Sequence, residues 1–400
     1  MVFDKNKSLL YLIALLNDAA VTLIVFFVTR YMAENGAGIV RLGLAGGTFA
    51  LSFGLSSIIF GRASDTFGRK KMMIAGIALV LTGTIGCLLV EPTKSLFFLF
   101  YVFIGVSPGL IYPSLIAWLG QNGGKDVGTS ISARMLIFSL SWNVGVMAGM
   151  YSGGRLYKLA KEGPLIAAII FLGINCVLIL LCREEKNVPG EEKTSAPAAL
   201  SETAKVDSTQ TILYMRLARL AAFGSASCMS TILYLFPQVA VEIGLPPDEH
   251  GTIIALMRGT VIIAMLIMHF YPFWKYNLKV LLTIETAGIA GLLLVFFSNS
   301  VGVMVIGMLL VGFLNGFGHF GGLYYSNSEQ SSSRKGRDSG LHQGALGIGI
   351  AAGSVLGGLI GSFFGAQYPF LLSAIILIVL IFIQARLAFV GHKTRTLERT

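Results

Sequence analysis

The chain is a succession of apolar runs of about twenty residues or more, joined by short polar connections. A helix rises about 1.5 Å per residue, so a run of that length matches about 30 Å of hydrocarbon. Twelve runs are predicted to span, at 9–33, 42–62, 72–91, 95–119, 128–154, 164–183, 210–236, 251–273, 279–299, 301–327, 340–364 and 368–390. In lipid each backbone N–H and C=O must be satisfied within its own segment, so each run folds as a helix. Apolar residues make up 54% of the 400 and charged residues 12%, against roughly 25% charged in a soluble domain. That composition excludes a soluble enzyme, a disordered hub and a secreted disulfide scaffold, and it predicts an all-α membrane protein.

Twelve spans put both termini on one side. Twenty basic residues fall in loops, tails and helix ends on that side, and five (Arg41, Lys94, Arg155, Lys158, Lys161) on the other. The asymmetry predicts cytoplasmic termini in a cell membrane, with the first segment retained as a helix rather than cleaved as a signal peptide. The net charge of +10 is therefore read as a topology signal, not as a nucleic-acid surface, since no basic cluster is interleaved with stacking aromatics. Cys87, Cys176, Cys182 and Cys228 lie in predicted helices without metal spacing and read as packing residues.

The stretch 184–209, rich in Glu, Lys, Ser, Thr, Ala and Pro, has no apolar periodicity and reads as a linker. It divides the chain into a six-helix bundle, 1–183, and a second, 210–400. An internal repeat is visible between them. At an offset of 212, Gly145, Gly149 and Gly153 fall on Gly357, Gly361 and Gly365, and at an offset of 207, Gly105 and Gly109 fall on Gly312 and Gly316. Glycines four apart share a helix face and let two backbones approach closely. Two readings stay open for these stripes: ordinary close packing in lipid, or a moving interface between the two halves.

After the second span stands Gly61-Arg62-Ala63-Ser64-Asp65-Thr66-Phe67-Gly68-Arg69-Lys70-Lys71. A basic topology anchor accounts for Arg69 to Lys71 but not for the spacing of Gly61, Asp65 and Gly68. The segment resembles the G-x-x-x-D-x-x-G-R-[KR]-[KR] signature of the major facilitator superfamily, twelve-helix transporters built of two pseudo-symmetric bundles. The resemblance implies that Asp65 faces the start of helix 11, a favourable charge-to-dipole contact. It also implies that Arg69, with Lys70 beside it, belongs to a charge network at a cytoplasmic gate, for which Asp126 is the candidate acid. The matching loop of the second half, Lys275 to Lys279, lacks the pattern, so gating by this motif is one-sided. Helix 5 is similar to the family's antiporter motif through Gly145, Gly149, Gly153 and Gly154, but Met150 replaces its proline and the helix need not kink.

An ionisable group in hydrocarbon is costly unless paired or wetted, which makes each one a functional candidate. Asp18, about ten residues into helix 1 and beside Asn17, is the candidate proton-coupling residue, against a structural ion pair or hydrogen-bonded acid. Glu285 in helix 9 reads as structural or lipid-interfacial. Arg30 and Arg134 lie within two turns of helix ends, where they can snorkel; Arg134 and Arg216 are assigned to gate pairing, and Arg219 and Arg258 stay open between an anion pocket and gate pairing. The resemblance places the cavity on helices 1, 4, 7 and 10, where Asn17, Asp18, Tyr112, Ser227, Asn315 and His319 are the midplane candidates. Trp142 and Asn143 of helix 5 join them, and Pro108 and Pro113 allow helix 4 to bend. The imidazole of His319 suits proton exchange, against a packed neutral histidine.

The resulting expectation is a monomeric secondary transporter of a small organic solute, coupled to protons, with a mild preference for export. No ATP-binding loop and no metal-ligand or nucleophile motif occurs, so no cofactor and no enzymatic activity are expected. The alternatives are proton-coupled uptake of an organic anion and, in another class, a non-transporting receptor or assembly partner of the same fold.

Overall fold

Every regular element among the described residues is a helix. The computed structural model describes residues 5–60, 67–119, 131–182, 208–327 and 332–399. In chain order the helices are α1 (Lys5–Glu34), α2 (Ile39–Phe60), α3 (Arg69–Leu89), α4 (Phe97–Leu119), α5 (Ile131–Leu159), α6 (Gly163–Leu181), α7 (Ser208–Glu242), α8 (Pro247–Phe270), α9 (Leu278–Phe297), α10 (Val301–Asn327), α11 and α12 (Tyr368–Arg399). Helix α11 runs as Ser332–Ala351, a π-helical stretch Ala352–Leu356, and Gly357–Phe364. Eleven of the twelve are long and apolar enough to cross a membrane. The other is α5, of 29 residues, which carries Ser139, Ser141, Trp142 and Asn143 in its middle turns. The chain is a multi-pass membrane protein.

Helix ends follow local chemistry. Gly68 adopts φ 90°, a left-handed conformation that costs glycine little, and turns the chain into α3. Asn277 caps α9, its side chain accepting the Val280 N–H at 3.3 Å. Pro272 opens a single 3-10 turn between α8 and α9. Beyond it Tyr276 holds φ 53°, unusual for a residue with a Cβ. Its N–H donates to the Tyr325 hydroxyl at 2.8 Å, and its ring meets Tyr214 and Tyr325 edge-on at 5.3 and 5.4 Å. Burial in the same aromatic cluster pushes the Lys275 ammonium below its ordinary value, with Nζ 4.7 Å from the Tyr324 ring centre.

The chain divides into two compact units: 1–37 with 48–201 and 245–255, and 38–47 with 202–244 and 256–400. Within the first, α1 packs on α5, α6 and α4, and α3 on α4 and α6; within the second, α7 packs on α11, α10 and α12, and α9 on α10 and α12. Glycine contacts set the register. Gly145 and Gly149 of α5 lie against the carbonyls of Leu15 and Ala19 in α1; Gly349 and Gly353 of α11 lie against those of Phe223 and Ser227 in α7. Gly105 of α4 rests on the Phe49 carbonyl, and Gly312 of α10 on that of Met257. Gly83 of α3 meets the Phe100 carbonyl, and Gly291 of α9 that of Gly307.

These equivalences give an offset of 208 for the first three helices of each half and 207 for α4 and α10. The α5 and α11 contacts give 204, not the 212 expected from sequence. A glycine repeat of period four can slide by eight residues, two turns, without losing its matches, and only the partner helix distinguishes the registers. Gly145, Gly149 and Gly153 therefore correspond to Gly349, Gly353 and Gly357. Gly357 and Gly361 do pack, against Leu235 and against Ile39 and Pro369. Gly365 is not a packing residue: with φ 119° it ends α11, and a Cβ there would meet only the edge of Tyr368.

The short segments assigned to each unit use the same device. Gly251, fifth residue of α8, abuts the Met150 carbonyl and lies in van der Waals contact with Gly154; Gly43, fifth residue of α2, abuts the Ser354 carbonyl and Gly358. Helix α5 is continuous through Met150, as the missing proline implied. Its counterpart residue in α11, Ser354, sits inside the π-helical stretch.

Candidate functional site

In the first unit, Asn17 and Asp18 on α1 are buried. The Tyr112 hydroxyl of α4 donates to the Asp18 carboxylate through a short bond, and Asn17 Nδ2 donates to the same hydroxyl at 3.4 Å. Phe53 of α2 and Trp142 of α5 stand with ring centres 6.3 Å from Tyr112. Four helices thus bring together a carboxylate and a carboxamide (α1), a phenyl ring (α2), a phenol (α4) and an indole (α5). Pro108 and Pro113 lie inside α4, on the helix that carries Tyr112. Asn143 is buried too, but its Nδ2 donates to the Ser139 carbonyl of its own helix at 2.8 Å.

In the second unit, Asn315 of α10 donates to the Ser225 carbonyl of α7 at 3.3 Å. One turn further along α10, the ring of His319 lies 6.3 Å from that of His342 on α11. His342 is fully buried against Gly322, and neither ring nitrogen has a hydrogen-bond partner among the described residues. Arg258 of α8 is within electrostatic reach of His319, and Arg219 of α7 of His342. Two guanidinium and two imidazole groups are therefore grouped on four helices. Ser227 does not join them: it is buried, and its carbonyl faces Gly353 of α11, while Ser225 is the α7 residue that meets Asn315.

A third cluster fastens the start of α8 into the first unit. Arg30 Nε donates to Glu34 at 2.7 Å and its Nη2 to the Leu245 carbonyl at 2.9 Å, while the Tyr157 hydroxyl donates to Glu34 at 2.8 Å. Lys158 pairs with Asp248 at 2.9 Å, and Arg155 donates to Thr252 at 3.2 Å. Arg30 is thus buried and bonded rather than snorkelled. Arg216 is exposed. Glu285 is fully buried, which rules out the lipid-interfacial placement.

Of the loop motif, Gly61 and Asp65 lie outside the described residues, as does Asp126; nothing is described of the Arg134 side chain. Gly68 makes the turn noted above, and Arg69 opens α3. Lys70 donates to the carbonyls of Leu180 and Cys182 at 2.7 and 3.0 Å, capping the end of α6 with a positive charge. Burial raises the Cys182 thiol above its ordinary value, and Lys70 offsets part of that rise. Sequence reasoning missed His342, Ser225 and the Arg30–Glu34–Tyr157 network. His342 lies in the predicted span 340–364 but on helix 11, outside the helices that carry the cavity candidates, and the network residues cluster only after folding.

The Major Facilitator Superfamily profile matches residues 10–317 and 275–399. No curated protein matches the sequence. Among solved structures, a point mutant of the nucleoside transporter NupG superposes with a TM-score of 0.73 at 13% identity, covering 96% of this chain and 100% of that one. A bacterial homolog of the human lysosomal transporter Spinster, inward-facing and unoccupied, gives 0.72 at 16% identity, covering 98% and 99%. The human organic anion transporter MFSD10 (TETRAN) gives 0.65 at 16%, covering 96% and 100%. At such identities the likeness carries the fold and not the substrate. The profile match along the chain, with the twelve helices among the described residues and the repeated packing within the two halves, establishes that this chain belongs to the Major Facilitator Superfamily.

Proposed function

We propose that the protein is a proton-coupled secondary transporter that moves a small organic solute by alternating access, with Asp18 as the coupling carboxylate. The observation that carries this reading is the bond from Tyr112 to the buried Asp18. A carboxylate on one helix held by a phenol on another can exchange that donor for a proton, so its protonation state is tied to how α1 and α4 meet. Asn17 and Trp142 supply a polar and an aromatic surface beside it, the mixture that small-molecule sites use for orientation and contact. Antiport is the favoured direction, resting on the glycine pattern of α5. In this reading the protein works as a monomer with cytoplasmic termini, and Asp65 and Arg69 latch the cytoplasmic gate.

A second reading, carriage of an organic anion, is favoured by the grouping of Arg219, Arg258, His319 and His342. Both readings are tested by a thermal-shift panel of organic acids, nucleosides, sugars, amino acids and amphipathic cations, followed by proteoliposomes carrying a pH-sensitive dye. Proton-coupled transport predicts that a stabilising solute moves the lumenal pH when its gradient is imposed. Acidification as solute leaves supports antiport, alkalinisation supports symport, and solute flux with no pH change overturns coupling.

A further inference from the structure

Glu285 sits two turns into α9, fully buried, and meets Gln384 of α12, also fully buried. Gln384 Nε2 donates to Glu285 Oε1 at 2.8 Å and to the Leu217 carbonyl of α7 at 3.3 Å. A backbone carbonyl only accepts, so the Leu217 contact fixes which end of the Gln384 amide is nitrogen. Two acceptors are then left over: Glu285 Oε2 and Gln384 Oε1 are both buried without a donor among the described residues.

We propose that Glu285 carries a proton, and that Glu285 with Gln384 is a proton-binding site distinct from Asp18, joining α9 to α12 beneath α7. A hydrogen on Glu285 Oε2 supplies the one donor the pair lacks, and Gln384 Oε1 is the acceptor left for it. The carboxylic acid and the primary amide then bond reciprocally, N–H to C=O in one direction and O–H to C=O in the other. The ionised alternative buries a negative charge in an apolar bundle, where it is costly without a cation or further donors. Among the described residues, no Lys, Arg or His forms an ion pair with Glu285. The Cys228 thiol of α7 lies within electrostatic reach of Glu285 and supplies no positive charge. The proton acts here as a ligand that closes the α7, α9 and α12 contact, and the inference does not rest on the role given to Asp18.

Infrared difference spectroscopy of the purified full chain at neutral pH tests it. Wild type minus Glu285→Gln is expected to show a protonated-carboxyl carbonyl band that shifts in deuterium oxide. Wild type minus Gln384→Met is expected to show the same band displaced in frequency, because its hydrogen-bond partner is gone. Empty difference spectra in that region, with loss of an ionised-carboxylate band in Glu285→Gln, overturn the proposal. Should Glu285→Gln fail to fold, the Gln384→Met spectrum decides alone: a displaced carboxyl band supports the bound proton and no displacement refutes it.

Discussion

The two halves of this protein share a packing frame and differ in the chemistry mounted on it. At the 207-residue offset Tyr112 of α4 corresponds to His319 of α10, and at 208 Asn17 and Asp18 of α1 correspond to Ser225 and Ala226 of α7. The first half has a carboxylate bonded to a phenol, whereas the second has imidazoles and guanidiniums and no acid at the matching positions. The glycine contacts, by contrast, recur on equivalent carbonyls in both halves. Close backbone packing tolerates no side chain, while the polar positions of α1, α4, α7 and α10 are free to change. The duplicated frame therefore fixes where the helices stand, and each half sets its own chemistry.

The sharpest way to break the shared frame is to fill it. Gly145→Leu and its counterpart Gly349→Leu each drive a side chain into a backbone carbonyl, of Leu15 and Phe223, that cannot yield without moving its helix. Overpacking costs about 1–3 kcal/mol and more against backbone, so both variants are expected to lose monodisperse protein on size-exclusion chromatography. Gly344→Ala, facing open space, is the silent control. A large loss at one glycine and none at the other breaks the equivalence of α5 and α11.

Smaller effects address the divergent chemistry. Tyr112→Phe removes the donor to Asp18 and is expected to slow pH-driven flux about tenfold, the equivalent of about 1.4 kcal/mol. Unchanged flux separates the phenol from coupling. Arg258→Gln is expected to weaken binding of an anionic solute severalfold, measured by thermal shift, and to leave a neutral solute unaffected. Equal weakening of both assigns Arg258 to packing and removes the contrast between the halves. The smallest expected effect is that of Lys70→Met, which strips the charge from the end of α6 and costs about 1 kcal/mol or less, a shift of about a degree or two in melting temperature.

Much of this was legible before folding. Apolar runs located the helices because spanning length is set by the bilayer, and the run containing Asp18 placed that acid among apolar residues. The loop motif named the superfamily. The register of α5 on α11 was not legible, since a period-four glycine pattern matches itself at several offsets. Nor was the burial of Arg30, whose partners Glu34 and the Leu245 carbonyl lie four and 215 residues away. Glu285 stood out in sequence only as an acid in an apolar run; Gln384, 99 residues on, is what makes it a site.

Pseudo-symmetry also bears on motion. The α5 stretch around Met150 is regular, whereas its counterpart around Ser354 in α11 is π-helical. A π-helical turn exchanges one set of backbone bonds for another at small cost, and it marks α11 as the more deformable of the pair. Hydrogen exchange is expected to be faster across 352–356 than across the corresponding turn of α5.

The central claim is that Asp18 couples protons to solute, and its most direct test is transport by Asp18→Asn in proteoliposomes. The labelled solute that most stabilises the wild-type protein is followed in two modes, uptake driven by an imposed pH gradient and solute exchange at equal pH. The account predicts that the asparagine variant loses the driven phase and keeps exchange. Driven transport at the wild-type rate in that variant would contradict it.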